Sequence, residues 1–353
     1  MKDTVKYVIQ RILFVFLTAF IILSLTYILL QCIPTMPGGT DIQRWTYWEK
    51  QVSLGFYRVL DQSNIDDLKI ITAKAYDATV RVNNKDYYYL AKPIMERYVM
   101  WLGNIVRGDW GISSSLQPGS DAFSILMVGL PYSMRLNIIS IFISIPIGLG
   151  LGIWAALKKN TWVDSTISVI IMVFISVPSF VLISFLLILF GNIAGWPMTW
   201  PSDANAAADP ALAFKAYVIP VLSLCFGSIC AFGRYTRAEL TEVMSSEFLL
   251  LARTKGLTRA QAVTHHALRN SMVPIVPMII SEFIGILSGS MVLEQIYAIP
   301  GIGHIFVDAL NSMDIPVIMV DMAIYTTIGL FATLIIDLSY GIVDPRIRMG
   351  ARK

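Results

Sequence analysis

Hydrophobic residues in this chain come in solid blocks rather than in stripes. Six stretches are apolar at nearly every position, at about 12–33, 133–157, 166–193, 216–233, 274–296 and 317–343. A helix with one wet face would repeat its apolar residues every 3.6 positions. Continuous apolarity over about 20 residues instead marks a helix long enough to cross a bilayer core. The pattern therefore predicts an all-α, six-span integral membrane protein. It divides the chain into an N-terminus with the first span (1–33), a polar insert (34–132), five further spans with a polar loop at 235–273 (133–343), and a tail (344–353).

The insert reads differently. Val80–Tyr89 alternates around Asn83-Asn84, the pattern of a small hairpin. Glu96–Gly111 reads as a helix at the membrane surface, with Trp101 and Trp110 as interfacial anchors. Pro146, Pro178, Pro220 and Pro277 interrupt spans, and each removes a backbone donor that neighbours must compensate for. Gly148, Gly150 and Gly152 form a small-residue stripe inside an apolar run, which favours close helix packing over a nucleotide loop.

Composition supports the membrane reading: 56% of residues are hydrophobic and only 14% are charged. The net charge of +3 gives no reason to expect nucleic acid as a partner. The basic residues are better explained by topology. Lys2, Lys6 and Arg11 precede the first span, and Lys158 and Lys159 follow the second. Arg234, Arg237, Arg253, Lys255, Arg259 and Arg269 lie between the fourth and fifth, and Arg346, Arg348, Arg352 and Lys353 follow the sixth. The alternate short loops hold only Lys215. The excess of Lys and Arg predicts cytoplasmic termini and places 34–132 outside. The first apolar run exceeds a signal-peptide core and is read as a retained span.

Enzyme chemistry finds no motif. There is no G-x-x-x-x-G-K-[ST], H-E-x-x-H or G-x-S-x-G. His265 and His266 are adjacent, so on a helix they diverge by about 100° and cannot share a metal. His304 is isolated, and Cys32, Cys225 and Cys230 form no metal-ligand spacing. The expectation is a transporter with no catalytic, metal or cofactor residues of its own. It must be a channel, an ion-coupled carrier, or a subunit that borrows ATP hydrolysis.

The loop at 235–273 discriminates. Arg237–Lys255 contains helix formers and no proline. Gly256 supplies a stop, and Thr258 with Gln261 forms a capping box that opens a second helix over about 259–270. Phe248, Leu249, Leu250, Leu251 and Leu257 put apolar surface on this loop, which favours either a partner or the chain's own bundle.

Ala252-Arg253-Thr254-Lys255-Gly256-Leu257, then His266-Ala267-Leu268-Arg269-Asn270 and Pro274, resembles the signature loop of ABC importer permeases. The match is nearest to the first permease subunit of the oligopeptide/dipeptide/nickel family. Further matching pieces follow in family order. They are Cys32-Ile33-Pro34, Arg107-Gly108-Asp109-Trp110-Gly111, Val177-Pro178-Ser179-Phe180, Arg234-Tyr235-Thr236-Arg237, Glu294, Pro300-Gly301-Ile302-Gly303 and Asp344-Pro345-Arg346-Ile347. The resemblance covers about 1–35 and 95–350, while 36–94 departs from the family pattern in length and content.

The resemblance implies a type I importer permease in a prokaryotic inner or plasma membrane, importing oligopeptides or dipeptides. Its implied partners are a second homologous permease, two cytoplasmic ATPases that hydrolyse ATP, an external substrate-binding protein and the lipid bilayer. Carried onto this chain, the ATPase-coupling loop (247–270) comprises Glu247, Phe248, Leu251, Ala252, Arg253, Lys255, Gly256, Leu257, His266 and Arg269. Glu282, with Ser281 and Ser288, is the candidate for the translocation path. The competing role for Glu282 is a polar pair with a neighbouring helix or with the partner subunit. Glu294, Asp308, Asp321 and Asp337 lie near span ends and are read as structural or interfacial. The alternative functions are an ion-coupled carrier, or an ABC permease for nickel chelates or another small solute.

Overall fold

The computed structural model describes residues 2–33, 37–286 and 289–343. Helix α1 spans Lys2–Leu30. The insert follows as α2 (Asp41–Ser53), β1 (Tyr57–Val59), α3 (Ile65–Thr72), β2 (Ala78–Val82), β3 (Lys85–Ala91) and α4 (Ile94–Val106). Then come α5 (Ala122–Leu157), α6 (Trp162–Ile175), α7 (Ser179–Leu186) with a π-helical extension Leu187–Ile193, α8 (Asp203–Ala208) and α9 (Pro210–Met244). The remainder is α10 (Glu247–Thr254), α11 (Arg259–Ala262), a π-helical turn Val263–Ala267, α12 (Leu268–Gly285), α13 (Met291–Ile296), α14 (Ile302–Asn311) and α15 (Ile315–Val343). Helices dominate; the strands among the described residues are confined to the insert.

Five helical stretches are long and apolar enough to span a membrane, and a sixth span results if the bent pair α6–α7 is counted as one. The expected third span, 166–193, is therefore not a straight helix. It breaks at Ser176–Pro178 with a bend of 98°. Pro178 donates no backbone hydrogen bond and disfavours helical backbone at Val177, so the helix ends and restarts with Pro178 as the N-cap of α7. The expected fifth span, 274–296, is shifted. Its helix starts at Arg259 and ends at Gly285, and α13 is a separate short helix. Pro220, by contrast, sits inside α9 without ending it.

Two compact units emerge. One is built around Tyr132–Gly303, with the chain up to Leu13 and from Ile328; the other gathers Phe14–Pro131 with His304–Thr327.

In the first unit, α9 is the central helix. Gly148 and Gly152, one turn apart on α5, admit it closely. A Cβ on Gly148 would lie 2.9 Å from the Ile229 carbonyl oxygen, and one on Gly152 would lie 2.7 Å from that of Gly233. Gly150 faces open space, so the stripe narrows to a small-xxx-small pair. Arg11 and Asp337 form an ion pair at 3.1 Å in the same unit.

In the second unit, β2 and β3 form the expected hairpin. Asn83 and Asn84 both adopt positive φ, at 50° and 64°, the requirement of a two-residue primed turn. The sequence reading missed β1, which pairs with β3 to give the order β1-β3-β2. The central strand buries Tyr89 against Trp48, and its hydroxyl donates to Glu49 Oε1 at 2.9 Å. Trp101 is not an interfacial anchor. It is buried and stacked on Tyr27 with ring centroids 4.4 Å apart, because α4 closes on α1 instead of standing free. The fully buried Asp314 takes hydrogen bonds from Ser113 Oγ (2.5 Å) and from the backbone amides of Ser114, Ser115 and Leu116. That nest of donors fixes the 113–116 loop beside the start of α15.

Candidate functional site: the loop between α9 and α12

The loop builds outward from α9. Helix α9 ends at Met244, where the hydroxyls of Ser245 and Ser246 turn back onto the carbonyls of Glu242 and Val243. The uninterrupted helix expected over Arg237–Lys255 is thus two helices. Serines at a junction compete for backbone groups in just this way, and composition alone did not reveal it. Helix α10 follows and stops where the Lys255 amide bonds to Leu251 and the Gly256 amide bonds to Arg253. Gly256 has φ +95°, a conformation that side-chain-bearing residues adopt at a cost of about 1–2 kcal/mol. Thr258 and Gln261 then form a complete capping box. The second helix does not stop near 270. It continues through the π turn, which holds His265 and His266, into α12, so the loop is joined without a break to a membrane span.

Leu249 anchors α10. It is buried with Ala156, Leu240, Ala262, Val263 and Ala267, and Leu257 packs partly against the same cluster. Phe248, Leu250 and Leu251 point away and are exposed. Glu247, Arg253, Lys255, His266 and Arg269 are also exposed, and Ala252 is half-buried. The site is therefore a short helix held from behind by one leucine, presenting an apolar face ringed by charges.

The base of this loop carries a feature that the sequence reading did not single out. Asp164, at the start of α6, is buried and receives two bonds from Arg237 of α9, from Nε at 2.5 Å and Nη2 at 2.9 Å. The Asn160 amide adds a third, at 3.0 Å. The available signal was an acid in the first turn of an otherwise apolar helix.

Glu282 lies half-buried on α12 and accepts a hydrogen bond from Ser228 Oγ of α9 at 2.8 Å. It makes the helix-to-helix pair that was one of its two expected roles. Ser281 is exposed, and Ser288 lies outside the described residues, as do Pro34 and the tail 344–353. Glu294 is buried and structural. It accepts from Ser133 Oγ at 2.8 Å and from the Ser290 amide at 3.0 Å. Ser133 Oγ in turn accepts the Ile302 amide at 3.0 Å. A Cβ on Gly301 would collide with the carboxylate, and one on Gly303 would collide with the backbone of Met291. Among the described residues no cluster of His, Cys, Asp or Glu could hold a metal.

Residues 148–349 match the family model for the binding-protein-dependent transport system inner membrane component. The chain is 29% identical to the dipeptide transport system permease protein DppB of Bacillus subtilis (strain 168), over 98% of both chains. It is 30% identical to the DppB protein of Lactococcus lactis subsp. cremoris (strain MG1363), over 98% of this chain and all of that one. It is also 30% identical to the oligopeptide transport system permease protein OppB of Escherichia coli (strain K12), over 76% of this chain and 85% of that one. The chain belongs to the binding-protein-dependent transport inner membrane components and is a membrane-spanning permease subunit of the ABC importer type.

Proposed function

We propose that this subunit imports dipeptides or oligopeptides as half of a two-permease path, driven by ATP hydrolysed on two cytoplasmic partner ATPases, with an external binding protein delivering the substrate. The substrate class is that named for the DppB and OppB relatives. The chain itself is non-catalytic and binds no cofactor. Both termini and the 235–273 loop are cytoplasmic, and the insert is external, following the distribution of Lys and Arg.

One observation carries the coupling role: α10 has a single buried anchor, Leu249, and three exposed apolar residues. Exposed apolar surface on a polar, charge-rich loop favours a docked partner. The partner is an ATPase groove, contacted by Glu247, Phe248, Leu251, Ala252, Arg253, Lys255, Gly256 and Leu257, with His266 and Arg269 on the following helix. Because α11, the π turn and α12 are continuous, force on α10 reaches a span directly. Glu282 and Ser281 are proposed path residues, in addition to the bond Glu282 makes to Ser228.

The test is mild-detergent purification of the tagged subunit from its native membrane, with mass spectrometry of the copurifying chains and uptake in vesicles. Copurification of a second permease and ATPases, with peptide uptake that requires ATP, supports the reading. Purification of this chain alone, with uptake following an ion gradient, replaces it with the carrier reading.

A further inference from the structure

An open cleft of about 250 Å³ lies in the second unit, where the end of α1 meets the insert; Gln31, Trp48, Tyr57, Asp77, Ala91 and Arg97 line it. Two opposite charges share this cleft, and no ion pair joins them among the described residues. Arg97 is held rigidly: Nη1 donates to Gln31 Oε1 at 2.6 Å, and the guanidinium lies 6.0 Å from the centre of the Tyr57 ring. Its Nε is nevertheless buried with no acceptor. Asp77 is held as well: Oδ2 accepts the Ala91 amide at 2.7 Å, and the Asp77 amide donates to the Tyr89 carbonyl at 3.0 Å. No hydrogen bond to its Oδ1 is made among the described residues.

Each charged group thus has part of its bonding fixed by the fold and part left unspent. Gln31 accepts from Nη1 alone, so the remaining outward donors of the guanidinium are there for an arriving anion. Arginine's planar fork suits a carboxylate, and an aspartate rim beside tryptophan and tyrosine suits an ammonium group. The two poles stand on separate, rigid elements, α4 and the start of β2, so the separation between them is set before any ligand arrives.

The geometry points to a binding site for a small zwitterion, with its carboxylate on Arg97 and its ammonium group at Asp77: a free amino acid or a short peptide with both termini unblocked. The chemical class rests on the cleft; the link to transport rests on the importer reading above. The site would hold substrate termini on the permease itself.

The experiment uses the full chain in lipid nanodiscs and calorimetric titration with dialanine, dialanine amide and N-acetyl-dialanine. Dialanine binds, and blocking either terminus weakens binding at least tenfold. Arg97→Gln erases the preference for dialanine over its amide and keeps the preference over the acetylated form; Asp77→Asn does the reverse. Asp77 also holds a strand amide, so circular dichroism and the melting temperature verify the fold of each variant, and the Arg97→Gln arm decides alone if Asp77→Asn misfolds. Equal binding of all three probes, no binding of dialanine, or unchanged discrimination in Arg97→Gln overturns the proposal. Displacement of dialanine by a lower concentration of glycerophosphoethanolamine also overturns it, in favour of a lipid headgroup. ATP-driven peptide uptake by the assembled complex, measured in parallel, stands or falls separately and reports on the importer reading.

Discussion

The Arg237 guanidinium grips the Asp164 carboxylate through two bonds, and this one pair ties the start of α6 to the loop-proximal end of α9. The acid is almost wholly buried, while the Arg237 side chain is 34% exposed. The segment leading into α10 therefore cannot shift without moving α6 or breaking the pair.

Asp164→Ala leaves a half-buried guanidinium without its counter-charge. Breaking a fully buried pair costs about 3–5 kcal/mol, and the exposure of Arg237 reduces this to about 2 kcal/mol. The expected outcome is a lowered melting temperature in detergent, with the chain still inserted in the membrane. The double variant Asp164→Ala/Arg237→Ala should be less damaged than the sum of the singles. Additivity in that cycle would show that the bonds contribute no coupling.

Gly256 separates conformational from steric cost. A Cβ there meets nothing within 4 Å in this chain. Gly256→Ala should therefore destabilise the subunit by only about 1–2 kcal/mol, the left-handed penalty. Gly256→Arg should leave the subunit in the membrane while abolishing ATP-driven uptake, because the obstruction arises only against a docked partner. Normal uptake by the Arg variant would remove the coupling assignment of this loop.

Gly301 sits against the Glu294 carboxylate and Ser133 Oγ. A Cβ there overlaps both. Gly301→Ala should cost about 1–3 kcal/mol as an overpacked site, read as a fall in melting temperature. Gly150→Ala on α5, which faces open space, is the control and should have no such effect.

Tyr89 predicts an alkaline limit for the insert. Burial, and next the bond to Glu49, push its phenol pKa up from the usual value near 10. A raised folded-state pKa means that the contribution is complete below the unfolded value of about 10 and is lost as pH rises beyond it. Far-ultraviolet circular dichroism should show loss of the insert's strands above that pH, with phenolate absorbance appearing together with unfolding. Tyr89→Phe should move the transition to higher pH. Ionisation of Tyr89 without loss of structure would refute this.

Much of the chain was legible before folding was considered. The six apolar blocks announced the spans because lipid demands about 20 apolar residues in a row. Asn83-Asn84 announced the hairpin because both residues tolerate positive φ, and Gly256 with Thr258 and Gln261 announced the helix stop and restart. These are local requirements, met by neighbours in sequence. The tertiary structure decided the rest. Pro178 breaks its helix by 98° while Pro220 sits inside α9, a difference that a proline in an apolar run does not announce. Asp164 meets Arg237 across 73 positions, Ser133 meets Glu294 across 161, and Trp101 is buried on Tyr27. Sequence registered each of these only as an acid, a serine or an aromatic. Partnership between distant side chains is created by packing, and a local pattern carries no trace of it.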